Sequence, residues 1–202
     1  TLNAAAAELM KFEKPTLGKA VDLTSSALLR GARGNSGVIT SLLFRGFGKR
    51  LKELGGANAQ EFAEALQEGV NTAYKAVMKP TEGTILTVSR LAAEGALKEA
   101  ASNGEVDEVL SAAITAAREA LENTVEQNPV LKKAGVVDAG GKGYLLILDG
   151  MLAELRGEPM PEAAEGEAEP QKEKADFVAM AAEDITFAFD TVFIVRKSTP
   201  DV

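Results

Sequence analysis

The chain contains neither cysteine nor histidine. Without cysteine, disulfides, thiolate nucleophiles and Cys-based zinc sites are excluded. Without histidine, the commonest general base and the commonest transition-metal ligand are both missing. Any chemistry must therefore rest on carboxylates, hydroxyls, Lys and Arg, backbone amides, and hard cations such as Mg2+. The net charge is −8, and no basic tract offsets it, which argues against a nucleic-acid groove. No apolar run approaches the roughly 20 residues of a membrane span. No signal peptide is visible, so the chain reads as cytoplasmic. Aromatic residues make up only 5% of the sequence, too few for a typical β-sandwich core.

What is present is small and helix-forming. Apolar residues are 46% of the 202, enough to bury a sizeable core, and alanine is frequent among them. That composition favours closely packed helices. Thr1-Leu2-Asn3 runs without an initiator Met straight into four alanines and Glu8-Leu9-Met10. This reads as the inside of a helix, and an N-terminal truncation is expected.

Helices are predicted over residues 1–13, 18–32, 36–54, 59–78, 84–102, 105–127 and 141–155. Pro15, Gly55-Gly56, Lys79-Pro80, Asn103-Gly104 and Asn128-Pro129 punctuate them. Asn58 is read as the N-cap of the fourth helix, with Glu61 in the capping-box position. Phe62, Leu66, Val70, Ala73 and Val77 form its apolar stripe, and Val106, Val109, Leu110, Ala113, Ile114, Ala117 and Leu121 form that of the sixth. Tyr144, Leu145, Leu148 and Leu152 supply a core face to the last. Residues 156–176 are dominated by Glu and Pro and read as a solvated linker. In residues 177–202, Ile185, Phe187 and Phe189 alternate ahead of Val192-Phe193-Ile194-Val195, which reads as the start of a second, β-containing domain.

Three glycine-containing segments precede helices: Arg33-Gly34-Asn35-Ser36-Gly37, Pro80-Thr81-Glu82-Gly83-Thr84 and Asp138-Ala139-Gly140-Gly141-Lys142-Gly143. Glycines let backbone approach a ligand, and free amides at a helix N-terminus bind anions. Ser36 and Thr84 could each add a hydroxyl hydrogen bond to phosphate. Simple capping, with Asn35 or Ser36 as the cap of the third helix, is the stronger reading of any one segment taken alone. No Walker A loop is present. If helices alternate up and down, however, these three loops share one end of the bundle, and the chain entering the first helix lies there too. Arg30, Arg33, Arg45, Lys49 and Lys79 could favour an anion or simply solvate helix faces. Asp138 is the best lone carboxylate, as ligand contact or N-cap, and Tyr144 reads as packing.

The strings Arg30-Gly31-Ala32-Arg33-Gly34-Asn35-Ser36-Gly37-Val38-Ile39, Ala76-Val77-Met78-Lys79-Pro80 with Glu82-Gly83-Thr84-Ile85-Leu86-Thr87-Val88, and Ala134-Gly135-Val136-Val137-Asp138-Ala139-Gly140-Gly141 resemble, in order and spacing, the DhaL-domain family. The nearest likeness is to the catalytic subunit of bacterial fatty-acid kinases. The resemblance covers about residues 1–155, and residues 189–195 are more loosely similar to the opening of that subunit's middle domain.

The resemblance implies an all-α, antiparallel up-and-down helical barrel with ATP and Mg2+ at one end. It implies transfer of the ATP γ-phosphoryl group to a fatty acid presented by a DegV-like binding protein, giving an acyl phosphate. By position, Gly34, Asn35, Ser36 and Gly37 would contact phosphates. Gly83, Thr84 and Ile85 would line the nucleotide, and Asp138, Ala139 and Gly140 would close over its nucleoside end. The wider family includes the ATP-binding subunits of dihydroxyacetone (glycerone) kinases, and some members carry the label Dak phosphatase. A homodimer of the longer protein is compatible with it. One departure stands out: the family's metal-binding motif, of the form DGDTG, has no match in residues 1–202, so no metal ligand is assigned and this chain is expected to be inactive alone. A non-catalytic helical interaction module is the alternative from outside the enzymes.

Overall fold

Asn58 and Glu61 form the reciprocal cap that their spacing predicts. The Glu61 amide donates to Asn58 Oδ1 at 2.9 Å, and the Asn58 amide donates to Glu61 Oε2 at 3.0 Å. That cap opens one of eight helices in a computed structural model that describes residues 1–159 apart from residue 103. They are α1 (Leu2–Leu9), α2 (Leu17–Arg30), α3 (Gly34–Leu51), α4 (Ala59–Ala76), α5 (Ile85–Ala100), α6 (Val106–Gln127), α7 (Pro129–Ala134) and α8 (Ala139–Arg156). No strand occurs among the described residues, and the fold is all-α as predicted. Most of the linker and all of the β-containing segment read at 177–202 lie outside the described residues.

Two boundaries differ instructively. The third helix was expected to start at 36 under an Asn35 or Ser36 cap. It starts at Gly34, with Arg33 in the cap position and no side chain capping it. Gly34 has a φ of 66°, so a residue free to adopt left-handed backbone turns the chain into the helix here. The second difference is α7, which sequence reading took as plain connection. Asn128 caps it, with its Oδ1 accepting from the Val130 amide at 3.0 Å; Pro129 occupies the first turn and Gly135 closes it left-handed.

Successive helices pack side by side in antiparallel register. On α3 and α4, Lys49 meets Glu68 and Arg50 meets Glu64. Glycines let the pairs approach: a Cβ at Gly46 would stand 2.3 Å from the Glu68 carbonyl oxygen, and one at Gly69 would stand 2.6 Å from that of Leu43. Between α5 and α6, Gly95 fits against Ala112 and Ala116. Three contacts fix α8 antiparallel to α6: the Asp138 amide donates to Thr124 Oγ1 at 3.1 Å, Arg118 meets Asp149, and Arg156 meets Asp107. Because α7 is only 6 residues long, it is absorbed within the α6–α8 connection, and the alternation of ends survives.

The core gathers the apolar stripes of α4, α5, α6 and α8 with Leu43 of α3, and includes fully buried Val109, Leu110 and Leu148. Burying each such side chain contributes roughly 1.5–3 kcal/mol. A smaller core of Ala5, Ala27 and Leu28, with Phe44 against it, holds α1 onto α2 and α3. No helix among the described residues is long and apolar enough to cross a membrane.

Candidate functional site

The starts of α3, α5 and α8 meet at one end of the bundle. A Cβ at Gly140 would stand 2.8 Å from Ser36 Oγ, 3.2 Å from Asp138 Oδ2 and 3.3 Å from Ile85 Cβ. Gly140 of α8 thus lies close against the first turns of both α3 and α5. Chain entry lies there as well: Thr1 Oγ1 accepts from the Arg33 amide at 3.3 Å, and a Cβ at Gly37 would reach within 2.6 Å of that hydroxyl.

The three segments differ in what they offer. At α8, Asp138 Oδ2 accepts from the Gly141 amide at 2.7 Å, so this carboxylate caps its own helix. At α5, Thr87 Oγ1 takes the Gly83 amide at 2.8 Å and the Thr84 amide at 3.5 Å. The Thr84 hydroxyl accepts from the Leu86 amide at 3.3 Å and spends its single proton on the Thr81 carbonyl at 2.7 Å. Thr84 therefore has no proton left for a ligand in this arrangement, which narrows the hydroxyl candidates to Ser36.

At α3 no side chain takes the first-turn amides, and Gly34, Asn35 and Ser36 are exposed. Unclaimed N–H groups and the positive end of the helix dipole coincide there, an arrangement that attracts an anion. Gly37 is buried behind them, and the buried Ile85 and half-buried Gly140 form an adjoining wall.

Other candidates fall elsewhere. Arg45 and Lys49 lie 9 and 13 residues beyond Ser36 on α3, about 13 and 20 Å along the axis, and Lys49 is occupied with Glu68. Tyr144 is buried in the core, as its packing reading required, and burial pushes its phenol well above the usual value.

No group of three or more acidic side chains among the described residues could hold a metal ion. Glu82 and Asp138, both near this end, are engaged in hydrogen bonds of their own.

A family model for the DAK2 domain matches residues 1–153. The chain belongs to the DAK2-domain family. Protein YloV of Bacillus subtilis is 44% identical to it over 201 residues, covering 97% of this chain and 36% of YloV. An uncharacterized protein of Staphylococcus saprophyticus is 45% identical over 175 residues, covering 85% of this chain and 32% of that protein. One from Staphylococcus aureus strain USA300 is 42% identical over 205 residues, with 97% and 36% covered. The chain thus spans about a third of the length of these curated relatives. The DhaL-type resemblance read from the motifs holds at family level, and DAK2 domains are kinase-type and nucleotide-binding. ATP fits that class.

Sequence reading missed a polar cluster beside the DAK2 domain's α5 start. Glu82 Oε2 accepts from Thr87 Oγ1 at 2.8 Å and from Arg90 Nη2 at 3.0 Å, while Oε1 accepts from the Tyr74 hydroxyl at 3.3 Å. Burial alone would raise the Glu82 pKa, but the hydrogen bonds from Thr87 and Arg90 outweigh it and hold the carboxyl below its ordinary value. The only advance signal was acid and base eight residues apart, from Glu82 to Arg90, a spacing with no helical meaning while Glu82 lies before the helix.

Proposed function

We propose that this DAK2 domain is the ATP-binding part of a phosphotransferase whose acceptor is the carboxylate of a fatty acid, presented by a DegV-like binding protein, with acyl phosphate as product. The observation that carries the nucleotide reading is the uncapped start of α3 facing Ile85 and Gly140. Phosphate oxygens would sit on the amides of Gly34, Asn35 and Ser36, with the Ser36 hydroxyl adding a donor. Gly83, Thr84 and Ile85, whose polar groups are largely engaged, would form a wall for the nucleotide. Asp138, Ala139 and Gly140 would close over the nucleoside. No residue of this chain is assigned as a magnesium ligand; the ion, if bound, would supply charge neutralisation at the phosphates.

A dihydroxyacetone (glycerone) kinase-type subunit is the nearest alternative. The fatty-acid reading is favoured because a dihydroxyacetone-type subunit would be expected to stop near residue 155, whereas this chain, and its likeness to a longer relative, continues past the DAK2 domain through the linker and tail.

Calorimetric titration of ATP, in Mg2+ and then in EDTA, tests the nucleotide site. Binding that survives EDTA is expected, because the amides need no metal to hold phosphate. Absence of binding under both conditions, repeated with the full-length protein, overturns the kinase reading. Fatty-acid-dependent ATP consumption by the full-length protein with a DegV-like partner, absent with dihydroxyacetone, tests the acceptor.

A further inference from the structure

Thr87 is fully buried and holds a single proton. Its oxygen stands within hydrogen-bond distance of the Gly83 amide, the Thr84 amide and Glu82 Oε2. Two of these partners can only donate, and an ionised carboxylate can only accept. The Thr87 proton must therefore point at Glu82, which leaves its lone pairs to receive the two amides.

Glu82 is itself held from two helices, by Tyr74 of α4 and Arg90 of α5. Arg90 is also anchored to Glu94 at 3.0 Å. The amide that Thr87 receives belongs to Gly83, which has a φ of 72° and packs tightly on α7's cap: a Cβ there would lie 3.0 Å from Asn128 and Gln127. Glu82 thus lies at the head of a chain of hydrogen bonds ending at the backbone of the loop that leads into Ile85.

We propose that Glu82 is a positioning residue: by orienting the Thr87 hydroxyl it locks the Gly83–Thr84 backbone and so sets the Ile85 wall opposite Ser36. This rests on the nucleotide reading given above. Glu82 touches no ligand in this role; its effect on binding passes through Thr87. Tyr74 and Arg90 act on the same carboxylate from outside the loop.

The test compares wild type with Glu82→Ala and Glu82→Gln, all measured where circular dichroism shows each fully folded. Amide hydrogen exchange at Gly83 and Thr84 is followed by NMR, and ATP affinity by calorimetry. Glu82→Ala is expected to speed exchange at both amides on the order of tenfold, as loss of a buried hydrogen bond would. It should also weaken ATP severalfold, with exchange in α6 unchanged. Glu82→Gln keeps an oxygen that accepts the Thr87 proton and should restore most of both properties. A purely stabilising residue would lower the melting temperature yet leave the folded protein's ATP affinity intact, and that result overturns the proposal. Unchanged exchange in Glu82→Ala overturns it too. If wild type binds no ATP, either as this chain or as the full-length protein, the nucleotide reading falls, and the positioning role falls with it; binding by wild type and Glu82→Ala alike sinks the positioning role alone.

Discussion

Ser36 is exposed, stands in the first turn of α3, and keeps an uncommitted hydroxyl beside Gly140. Ser36→Leu is expected to weaken ATP about tenfold, roughly 1.4 kcal/mol, without lowering the melting temperature appreciably, because the side chain is at the surface. Unchanged affinity by calorimetry removes the assignment. Gly140→Ala should weaken ATP similarly, since its methyl would press on Ser36 Oγ and Ile85, and Ser36→Gly in the same chain should restore part of the loss. Glu82 gives a pH dependence. Its carboxyl titrates below the ordinary value in the folded protein, so its stabilisation is complete above that ordinary value and is lost as pH falls through the folded one. The melting-temperature gap between wild type and Glu82→Gln should therefore shrink as pH falls below about 4. A gap that widens contradicts the assigned network. That Ser36 and Gly140 stand at helix starts was legible in the sequence, because glycine and hydroxyl residues before an apolar stripe have a local meaning; Ile85 entered only through the family resemblance. Thr87 and Glu82 were not: their roles depend on a rotamer and on Tyr74 from another helix.

At the scale of elements, what distinguishes α3 is the missing cap. Asn58 closes α4 with its own side chain, and Asn58→Ala should cost about 1 kcal/mol in chemical denaturation. Sequence spacing alone identified that cap, because both partners of the box lie within four residues. The same local logic misplaced the start of α3, since Asn35 and Ser36 are good capping residues by type. Gly34 turns the chain earlier and carries both of them into the helix, where their amides remain open. Helix α7 was hidden for a related reason: Asn128-Pro129 signals the start of a helix as well as the end of one. Packing between elements depends on glycine at specific crossings. Gly46→Ala would drive a methyl against the Glu68 backbone and is expected to destabilise the fold by about 1–3 kcal/mol, measured as a lower denaturation midpoint with an unchanged slope. A neutral effect would mean that α3 and α4 can separate at little cost.

On the scale of the whole molecule, the bundle keeps its two ends chemically distinct. One end gathers Ser36, Ile85, Asp138 and Gly140. At the other, Leu17, Leu51, Phe62, Val106 and Leu155 line an open apolar groove of about 630 Å3, beside the ordinary turn at Gly55-Gly56-Ala57. Counting alternating helices was enough to foresee this division, and the extra helix α7 did not spoil it because it is too short to span the bundle. Periodicity could not reveal which of the three converging starts leaves its amides open, since that depends on where each hydroxyl and carboxylate points. The most direct test is NMR titration of the amides with ATP in EDTA. The largest shifts are expected at Gly34, Asn35 and Ser36, with smaller ones at Ile85, Ala139 and Gly140 and none at Gly55, Gly56 and Ala57. Shifts confined to the Gly55-Gly56-Ala57 end, or none anywhere, would contradict a phosphate site at the start of α3.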